Sequence, residues 1–198
     1  MKPIFIAPEE RRRRTSDVLV DLANRCSGKT ITLRELMNGL GDRTYGVALI
    51  ILAAFNIIPF VSTFSGLIVA LIGTQLLFGF SRLYLPDRML DHQLPAERVR
   101  SSLTVFSRKV ITLEKFIRPR WHFTEAPIVD RFNGMMIMML GVVIALPIPF
   151  ANFGPAFVLI IMALGLLERD GVVQVLAAAF GFFIMGVIYT LLSNSLGG

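Results

Sequence analysis

The sequence predicts an all-α integral membrane protein with two repeated broken or re-entrant helical hairpins, a final transmembrane helix and cytoplasmic amphipathic helices. The first observation is composition: 54% of the 198 residues are hydrophobic and 17% charged, whereas soluble domains have about 45–50% and roughly 25%. The second is that residues 44–81, 132–167 and 172–198 contain no Asp, Glu, Lys or Arg. Each of these stretches is longer than the ~20 apolar residues that cross a bilayer core. The third is that the first two stretches align with each other.

The basic excess predicts an orientation in a membrane and not a nucleic-acid-binding surface. The net charge is +6, but every charged residue lies outside the apolar stretches, and a nucleic-acid-binding domain is not built in that way. If residues 1–43, the connector 82–131 and the short turn after residue 167 are cytoplasmic, all Lys and Arg residues lie on one side. We therefore expect a multi-pass protein with a cytoplasmic N-terminus that binds anionic lipid headgroups and no nucleic acid.

Residues 1–43 are expected to form a cytoplasmic basic tail followed by amphipathic helices. Arg11 to Arg14 would be attracted to anionic headgroups. A first helix is predicted from Thr15. A second begins at Thr32, because Thr32 and Glu35 form the T-x-x-E pattern of a capping box. We expect both helices to lie on the membrane or to pack beneath it.

Residues 44–81 and 132–167 align with each other in one register and predict two broken hairpins. A straight helix of ~35 residues would be ~52 Å long at about 1.5 Å per residue, which exceeds the ~30 Å bilayer core. Each stretch therefore needs a break, with short arms over 46–58 and 66–80 in the first and over 134–146 and 155–167 in the second. The punctuating residues that coincide in this register are Gly46 with Gly134, Pro59 with Pro147, and Gly66 with Gly154.

The breaks in the two hairpins predict a polar path. Non-helical backbone at membrane depth must be buried in protein or must line a watery cavity, so we expect the two tips to pack together. The simpler alternative is that polar side chains there, Ser65 among them, only cap broken helices. The apolar runs contain no carboxylate, which weakens a proton-relay mechanism. The candidate substrate-path residues are Asn56, Pro59, Ser62, Thr63, Gln75, Pro147, Asn152 and Pro155.

The connector 82–131 is predicted to contain an interfacial helix over residues 95–118. Its apolar positions recur every three or four residues and its other face is basic, which is typical of a helix in the interface of an anionic leaflet. A coiled-coil contact with another subunit is the alternative. Arg118, Arg120 and Trp121 follow and are a candidate headgroup-binding site, with simple anchoring as the default interpretation.

Residues 172–192 predict a single final span that places the C-terminus outside. Small residues along it permit close helix packing and leave a homo-oligomeric interface open. Cys26, His92 and His122 are isolated in the sequence, so we expect no metal site and no cofactor. The sequence also shows no nucleophile with a base, so we expect no catalytic residues and no enzyme activity.

The stretch from residue 145 to residue 171, ALPIPFANFGPAFVLIIMALGLLERDG, resembles the C-terminal signature of the bacterial ExoD exopolysaccharide-synthesis family. LGLLERDG at residues 164–171 is the most specific part of this resemblance. The basic connector with its RPR sequence and the earlier IPF break are similar to the same family. One departure is Ala151, where the family commonly has glycine.

The resemblance implies a bacterial inner-membrane protein that is associated with exopolysaccharide production and, in some members, with tolerance of alkaline conditions. It implies polysaccharide-synthesis proteins as partners, but no reaction. Glu168, Arg169 and Asp170 are singled out because the motif contains them. Their simpler role is structural, with Asp170 capping the final helix and Glu168 pairing with Arg169. Direct contact with a substrate is the alternative.

Three functions follow from these patterns. The leading hypothesis is transport or export of a lipid-linked or anionic species through the paired hairpins. The second is a non-transporting accessory or scaffold protein of a polysaccharide synthase. The third is an ion-homeostasis transporter, suggested by the alkaline tolerance that the resemblance implies.

Overall fold

The computed structural model describes residues 14–26, 28–56, 61–80, 82–114, 117, 126–146 and 152–196, and this part of the chain is almost entirely α-helical. The prediction of a helical fold is therefore confirmed. Two of the described helices are long and apolar enough to cross a membrane, over Pro127–Ala145 and Gly171–Thr190. The helices are α1 (Thr15–Arg25), α2 (Leu33–Leu40), α3 (Thr44–Phe55), α4 (Val61–Leu77), α5 (Asp87–Leu90), α6 (Ala96–Leu113), α7 (Pro127–Ala145), α8 (Phe153–Glu168) and α9 (Gly171–Leu196), with strands β1 (Thr30–Thr32) and β2 (Gln93–Pro95).

The N-terminal helices and the connector form one layer. Helix α1 packs along α6, and β1 pairs with β2 in an antiparallel register that sets Ile31 opposite Leu94. The predicted capping box is confirmed: Glu35 N–H donates to Thr32 Oγ1 over 3.2 Å, and Thr32 N–H donates to the Glu35 carboxylate over 2.8 Å. The strands were not predicted, because such short segments carry no periodic pattern and the two are distant in the chain.

The helix predicted over residues 95–118 is α6, which in the described part of the chain ends at Leu113. Its buried apolar side packs on α1. Val110 is 1% exposed in this contact. The end of the helix is fixed because the carboxylate of the next residue, Glu114, accepts hydrogen bonds from the N–H and the hydroxyl of Ser16, both at 2.8 Å.

Thr15 joins this layer to the helices that follow. Its hydroxyl donates to the carbonyl of Leu167 at the end of α8 over 3.5 Å and accepts from Arg43 Nε over 3.0 Å. The start of α1 is therefore fixed against the end of α8 and the segment before α3.

Cys26 lies in the same layer, where burial raises the pKa of its thiol and makes it a poor nucleophile.

Helices α3 and α4 form the first hairpin, and α7 and α8 form the second. The charged ends of both hairpins lie together, since Arg169 is 3.7 Å from Asp42 and 3.6 Å from Asp130. The opposite ends also meet, because the Asn152 side-chain amide donates to Ser62 Oγ over 3.0 Å. Both hairpins therefore begin and end at the same side of the structure.

The arms of the hairpins are less uniform than predicted: α3, α4, α7 and α8 contain 12, 17, 19 and 16 residues. Helix α7 extends beyond the uncharged stretch, back to Pro127. Proline is well suited to the first helical position, and Asp130 in the first turn is favoured by the helix dipole. Charged residues at the helix start therefore lengthen this arm.

Each arm packs most extensively against an arm of the other hairpin, α4 with α7 and α3 with α8. The α4–α7 contact is between backbones, at glycines spaced seven residues apart on each helix. A Cβ on Gly73 would lie 2.3 Å from Met138 N, and one on Gly134 would lie 2.3 Å from Leu77 N. Cβ atoms on Gly66 and Gly141 would meet the opposite backbone at 2.5 and 2.4 Å. Only glycine fits at these four positions.

Apolar side chains fill the interior of the hairpins and also cover much of their outside. Helix α9 packs on α8 and, less extensively, on α7. Less than half of either candidate span is buried in the structure, 39% for Pro127–Ala145 and 28% for Gly171–Thr190. Exposed large apolar residues on the outer faces include Phe64, Leu67, Leu71, Val142, Phe157, Leu176, Phe183 and Tyr189.

Candidate functional site

The ends of α3, α4 and α8 bring polar side chains together at the tips of the hairpins. Asn56 follows the last residue of α3, and Asn152 precedes the first residue of α8. Ser62 and Ser65 lie three residues apart in the first turns of α4, so they share one face of that helix. We refer to Asn56, Ser62, Ser65 and Asn152 as the tip cluster.

Hydrogen bonds connect the members of the tip cluster, one between the two hairpins and one within the first hairpin. The Asn152 amide donates to Ser62 Oγ, and Ser65 Oγ donates to the side-chain carbonyl oxygen of Asn56. Three of the predicted path residues, Asn56, Ser62 and Asn152, are therefore brought together by the structure.

The tip cluster contains polar atoms that the described residues leave unsatisfied. Asn56 is 7% exposed, and its Nδ2 has no hydrogen-bond partner in this part of the chain. Asn152 Oδ1 is likewise buried without a partner there. A buried polar atom without a partner costs about 1–3 kcal/mol. One atom is a donor and the other an acceptor, so a hydroxyl group or a water molecule, which both donates and accepts, would satisfy them.

The remaining predicted path residues have different positions. Pro155 is buried in the first turn of α8, where no helical N–H is needed, and Thr63 is half-buried on α4. Gln75 lies near the other end of α4, where its side chain exchanges hydrogen bonds of 3.1 and 2.7 Å with the backbone of Tyr84. Gln75 therefore fixes the connector and does not belong to the tip cluster. Pro59 and Pro147 lie outside the described residues.

A second polar group lies at the charged ends of the hairpins. The Arg169 guanidinium lies between the carboxylates of Asp42 and Asp130, and the Tyr45 hydroxyl donates to the carbonyl of Phe80 over 3.0 Å. These residues line a cleft together with Leu76 and Leu166, and we call it the charged-end cleft. Sequence reasoning missed Asp42, Tyr45 and Asp130, because they lie far from Arg169 along the chain and share no local pattern with it.

The turn at Glu168, Arg169 and Asp170 has a structural explanation. Arg169 has φ 53°, and the N–H groups of Asp170 and Arg169 donate to the carbonyls of Gly165 and Leu166 over 3.0 and 3.4 Å, the Schellman pattern. The Asp170 carboxylate then accepts from the N–H groups of Val172 and Val173. The prediction that Asp170 caps the final helix is therefore confirmed.

Gly165 is required by the contact between α8 and α9. A Cβ there would lie 2.9 Å from Gln174 Cγ. The Gln174 amide donates to the Gly165 carbonyl over 2.9 Å and accepts from Asn133 over 2.8 Å, all within the buried interior. The LGLLERDG sequence thus specifies a helix end, a helix start and the contact between these helices.

The predicted headgroup-binding residues Arg118, Arg120 and Trp121 lie outside the described residues. The basic face of the preceding helix, α6, is described and exposed. Its members are Arg98, Arg100, Arg108 and Lys109.

Comparisons with known proteins agree with the motif. The family model described as "Exopolysaccharide synthesis, ExoD" matches residues 15–190. The chain is 33% identical over 193 residues to Protein ExoD of Rhizobium meliloti (strain 1021), covering 91% of this chain and 77% of that protein. It is 22% identical over 178 residues to an uncharacterized protein of Synechocystis sp., covering 85% of this chain and 84% of that one. No solved structure gives a significant match. The chain belongs to the ExoD family, which is linked to exopolysaccharide synthesis.

Proposed function

We propose that this chain is a multi-pass protein of the bacterial inner membrane, with a cytoplasmic N-terminus, that supports exopolysaccharide production by moving a lipid-linked species past its two hairpins. Family membership supports the link to exopolysaccharide. The two long apolar helices and the exposed apolar outer faces support membrane insertion, because soluble monomers rarely expose contiguous apolar surface on this scale.

The tip cluster is the observation on which the proposal rests. Asn56 Nδ2 offers an unused donor and Asn152 Oδ1 an unused acceptor, both buried among the described residues. A sugar hydroxyl satisfies both kinds of atom, whereas a bare anion only accepts. The cluster therefore favours the saccharide part of a lipid-linked species over a small anion.

The packing of the hairpins supports an internal repeat. In a repeat, α3 corresponds to α7 and α4 corresponds to α8. The α4–α7 contact then corresponds to the α8–α3 contact, and both contacts are extensive. Both hairpins also begin and end at the same side. We propose a parallel repeat whose two copies enter the membrane from the cytoplasm.

The experiment is exopolysaccharide production in cells that lack their own copy of the gene and express variants of this chain. Asn56→Ala and Asn152→Ala should each reduce polymer roughly tenfold or more, because each removes a hydrogen bond to the saccharide and leaves its buried partner unsatisfied, at a cost of about 1–3 kcal/mol. Asn194→Ala is the matched control, since Asn194 is exposed near the end of α9, and it should leave polymer unchanged. The amount of each variant in the membrane is measured in parallel.

Normal polymer production by both tip variants, at equal membrane levels, would overturn the proposal.

An accessory role as scaffold of a synthase is the second candidate, supported by the exposed basic face of α6 with Val105 and Ile111 exposed on the same helix. In that case the double variant Arg108→Glu with Lys109→Glu would lose a co-purifying partner protein, and the tip variants would produce normal amounts of polymer.

An ion-homeostasis transporter is the third candidate. The structure supports it through Asp130, a carboxylate in the first turn of the candidate span Pro127–Ala145. Purified protein in vesicles that shows no cation-dependent pH change would count against it.

A further inference from the structure

We propose that the route of the transported species runs between two cross-hairpin pairs, α4 with α7 and α3 with α8, and not between the two hairpins. We call these the first pair and the second pair. The inference rests on the proposed transport function. It states which helices move together and which contacts between them close the route.

The boundary between the hairpins is too tightly packed to be the route. Opening it would separate α4 from α7, whose backbones meet at four glycines where a Cβ would lie within 2.5 Å of the opposite chain. It would also separate α3 from α8, where a Cβ on Gly46 would lie 3.0 Å from the carbonyl oxygen of Ala163. Close backbone packing of small residues is a main source of helix association in lipid, so each pair is expected to move as one body.

The boundary between the two pairs is packed with apolar side chains in its interior and is closed by polar contacts at the tips. Asn152 at the start of α8 donates to Ser62 of α4, and Ser65 of α4 donates to Asn56 at the end of α3. Both hydrogen bonds join a residue of the first pair to a residue of the second.

The same boundary is closed by polar contacts at the charged ends. Arg169 at the end of α8 pairs with Asp130 of α7, and Tyr45 of α3 donates to the carbonyl of Phe80 just after α4. The contact between Arg169 and Asp42 is different, because Asp42 immediately precedes α3 and both residues belong to the second pair.

These two kinds of contact respond differently to a polar ligand. A hydrogen bond or an ion pair can be exchanged for equivalent bonds to water or to a hydroxyl-bearing ligand at little net cost. Backbone packing in the first pair has no such replacement. The polar contacts at the two ends therefore act as closures that a saccharide can open in turn, while the glycine contacts stay intact.

The test compares distances within the first pair with distances between the pairs. Spin labels are placed, in a Cys26→Ser background, at Leu71→Cys and Val142→Cys within the first pair, or at Leu71→Cys and Phe157→Cys between the pairs. All three side chains are exposed, at 64%, 52% and 57%, so the labels disturb no buried contact. Distance distributions are measured by pulsed electron paramagnetic resonance in liposomes, with Asp130→Asn and Asp42→Asn as matched variants.

We expect Asp130→Asn to add a longer-distance component between Leu71 and Phe157 and to leave the Leu71–Val142 distribution unchanged. Asp42→Asn should change neither. The inference is overturned if Asp130→Asn lengthens the Leu71–Val142 distance, if it leaves both distributions unchanged, or if Asp42→Asn has the same effect. The label distances do not depend on polymer production. If the tip variants produced normal amounts of polymer, the proposed function would be contradicted, but the distance measurements would still test the inference.

Discussion

At the residue scale, the structure explains Arg169 by backbone conformation as much as by charge. Its φ of 53° lies in the left-handed region, where glycine usually ends a helix. The left-handed conformation costs a residue with a side chain about 1–2 kcal/mol, and at this position it places the Arg169 guanidinium between Asp42 and Asp130. The charge and the conformation can be tested separately.

We predict that Arg169→Ala is less stable than Arg169→Gly by about 1 kcal/mol, because both variants lose the ion pairs and only glycine adopts the left-handed backbone without a steric cost. The ion pairs are partly exposed and contribute about 0–1 kcal/mol each. Thermal unfolding of the purified variants in detergent measures the difference. Equal stability of the two variants would show that the conformation at this position carries no cost.

The residue-scale features that the sequence predicted are the local ones. The capping box of Thr32 with Glu35 and the cap by Asp170 each act over three residues, and both are present. The charged-end cleft could not be predicted, because Asp42, Asp130 and Arg169 meet only after three separate helices have packed. Part of the tip cluster was predictable, since a break inside an apolar stretch concentrates the polar residues there.

At the element scale, the α4–α7 pair depends on glycine more than any other described contact. The seven-residue spacing of Gly66 with Gly73 and of Gly134 with Gly141 is visible in the sequence, but the sequence does not say which helix faces which. In the alignment of the two hairpins, Gly46, Gly134 and Gly66 occupy positions that coincide with a glycine of the other hairpin. The structure shows that Gly66 and Gly134 are packing positions.

Gly73→Ala is expected to destabilise the protein by about 1–3 kcal/mol or more, because the added methyl group would overlap the backbone of Met138. Gly186→Ala is the matched control: nothing lies within 4 Å of a Cβ at that position, and alanine favours a helix by up to about 1 kcal/mol. The melting temperature in detergent should fall for the first variant and stay equal or rise for the second. A small effect at Gly73 would mean that α4 and α7 separate easily, which would weaken the assignment of the first pair as one body.

At the scale of the whole molecule, the layer of α1, α2 and α6 lies at the charged ends of the hairpins, since Thr15 contacts Leu167 and Arg43. Helix α9 begins at the same side, directly after Asp170. It contains 26 residues and would measure ~39 Å, long enough to cross a bilayer with some tilt. Its far end should therefore lie across the membrane from the layer.

Thiol labelling in a Cys26→Ser background tests this orientation. Ser101→Cys on α6 and Ser193→Cys near the end of α9 are both exposed positions. In intact cells without an outer-membrane barrier, an impermeant maleimide should label Ser193→Cys alone, and permeabilised cells should also label Ser101→Cys. Labelling of both positions from the same side would contradict the proposed topology.

The cross-hairpin packing also sets the order in which the chain acquires its structure during synthesis. The glycine face of α4 is complete at Leu77, but its partner begins only at Pro127, and synthesis of the intervening connector takes several seconds at roughly 5–20 residues per second. During that interval the first hairpin must remain beside the ribosome with its closest-packing surface unmatched. A ribosome that stalls between α4 and α7 is therefore expected to leave a hairpin whose glycine face can pack against another small-residue helix.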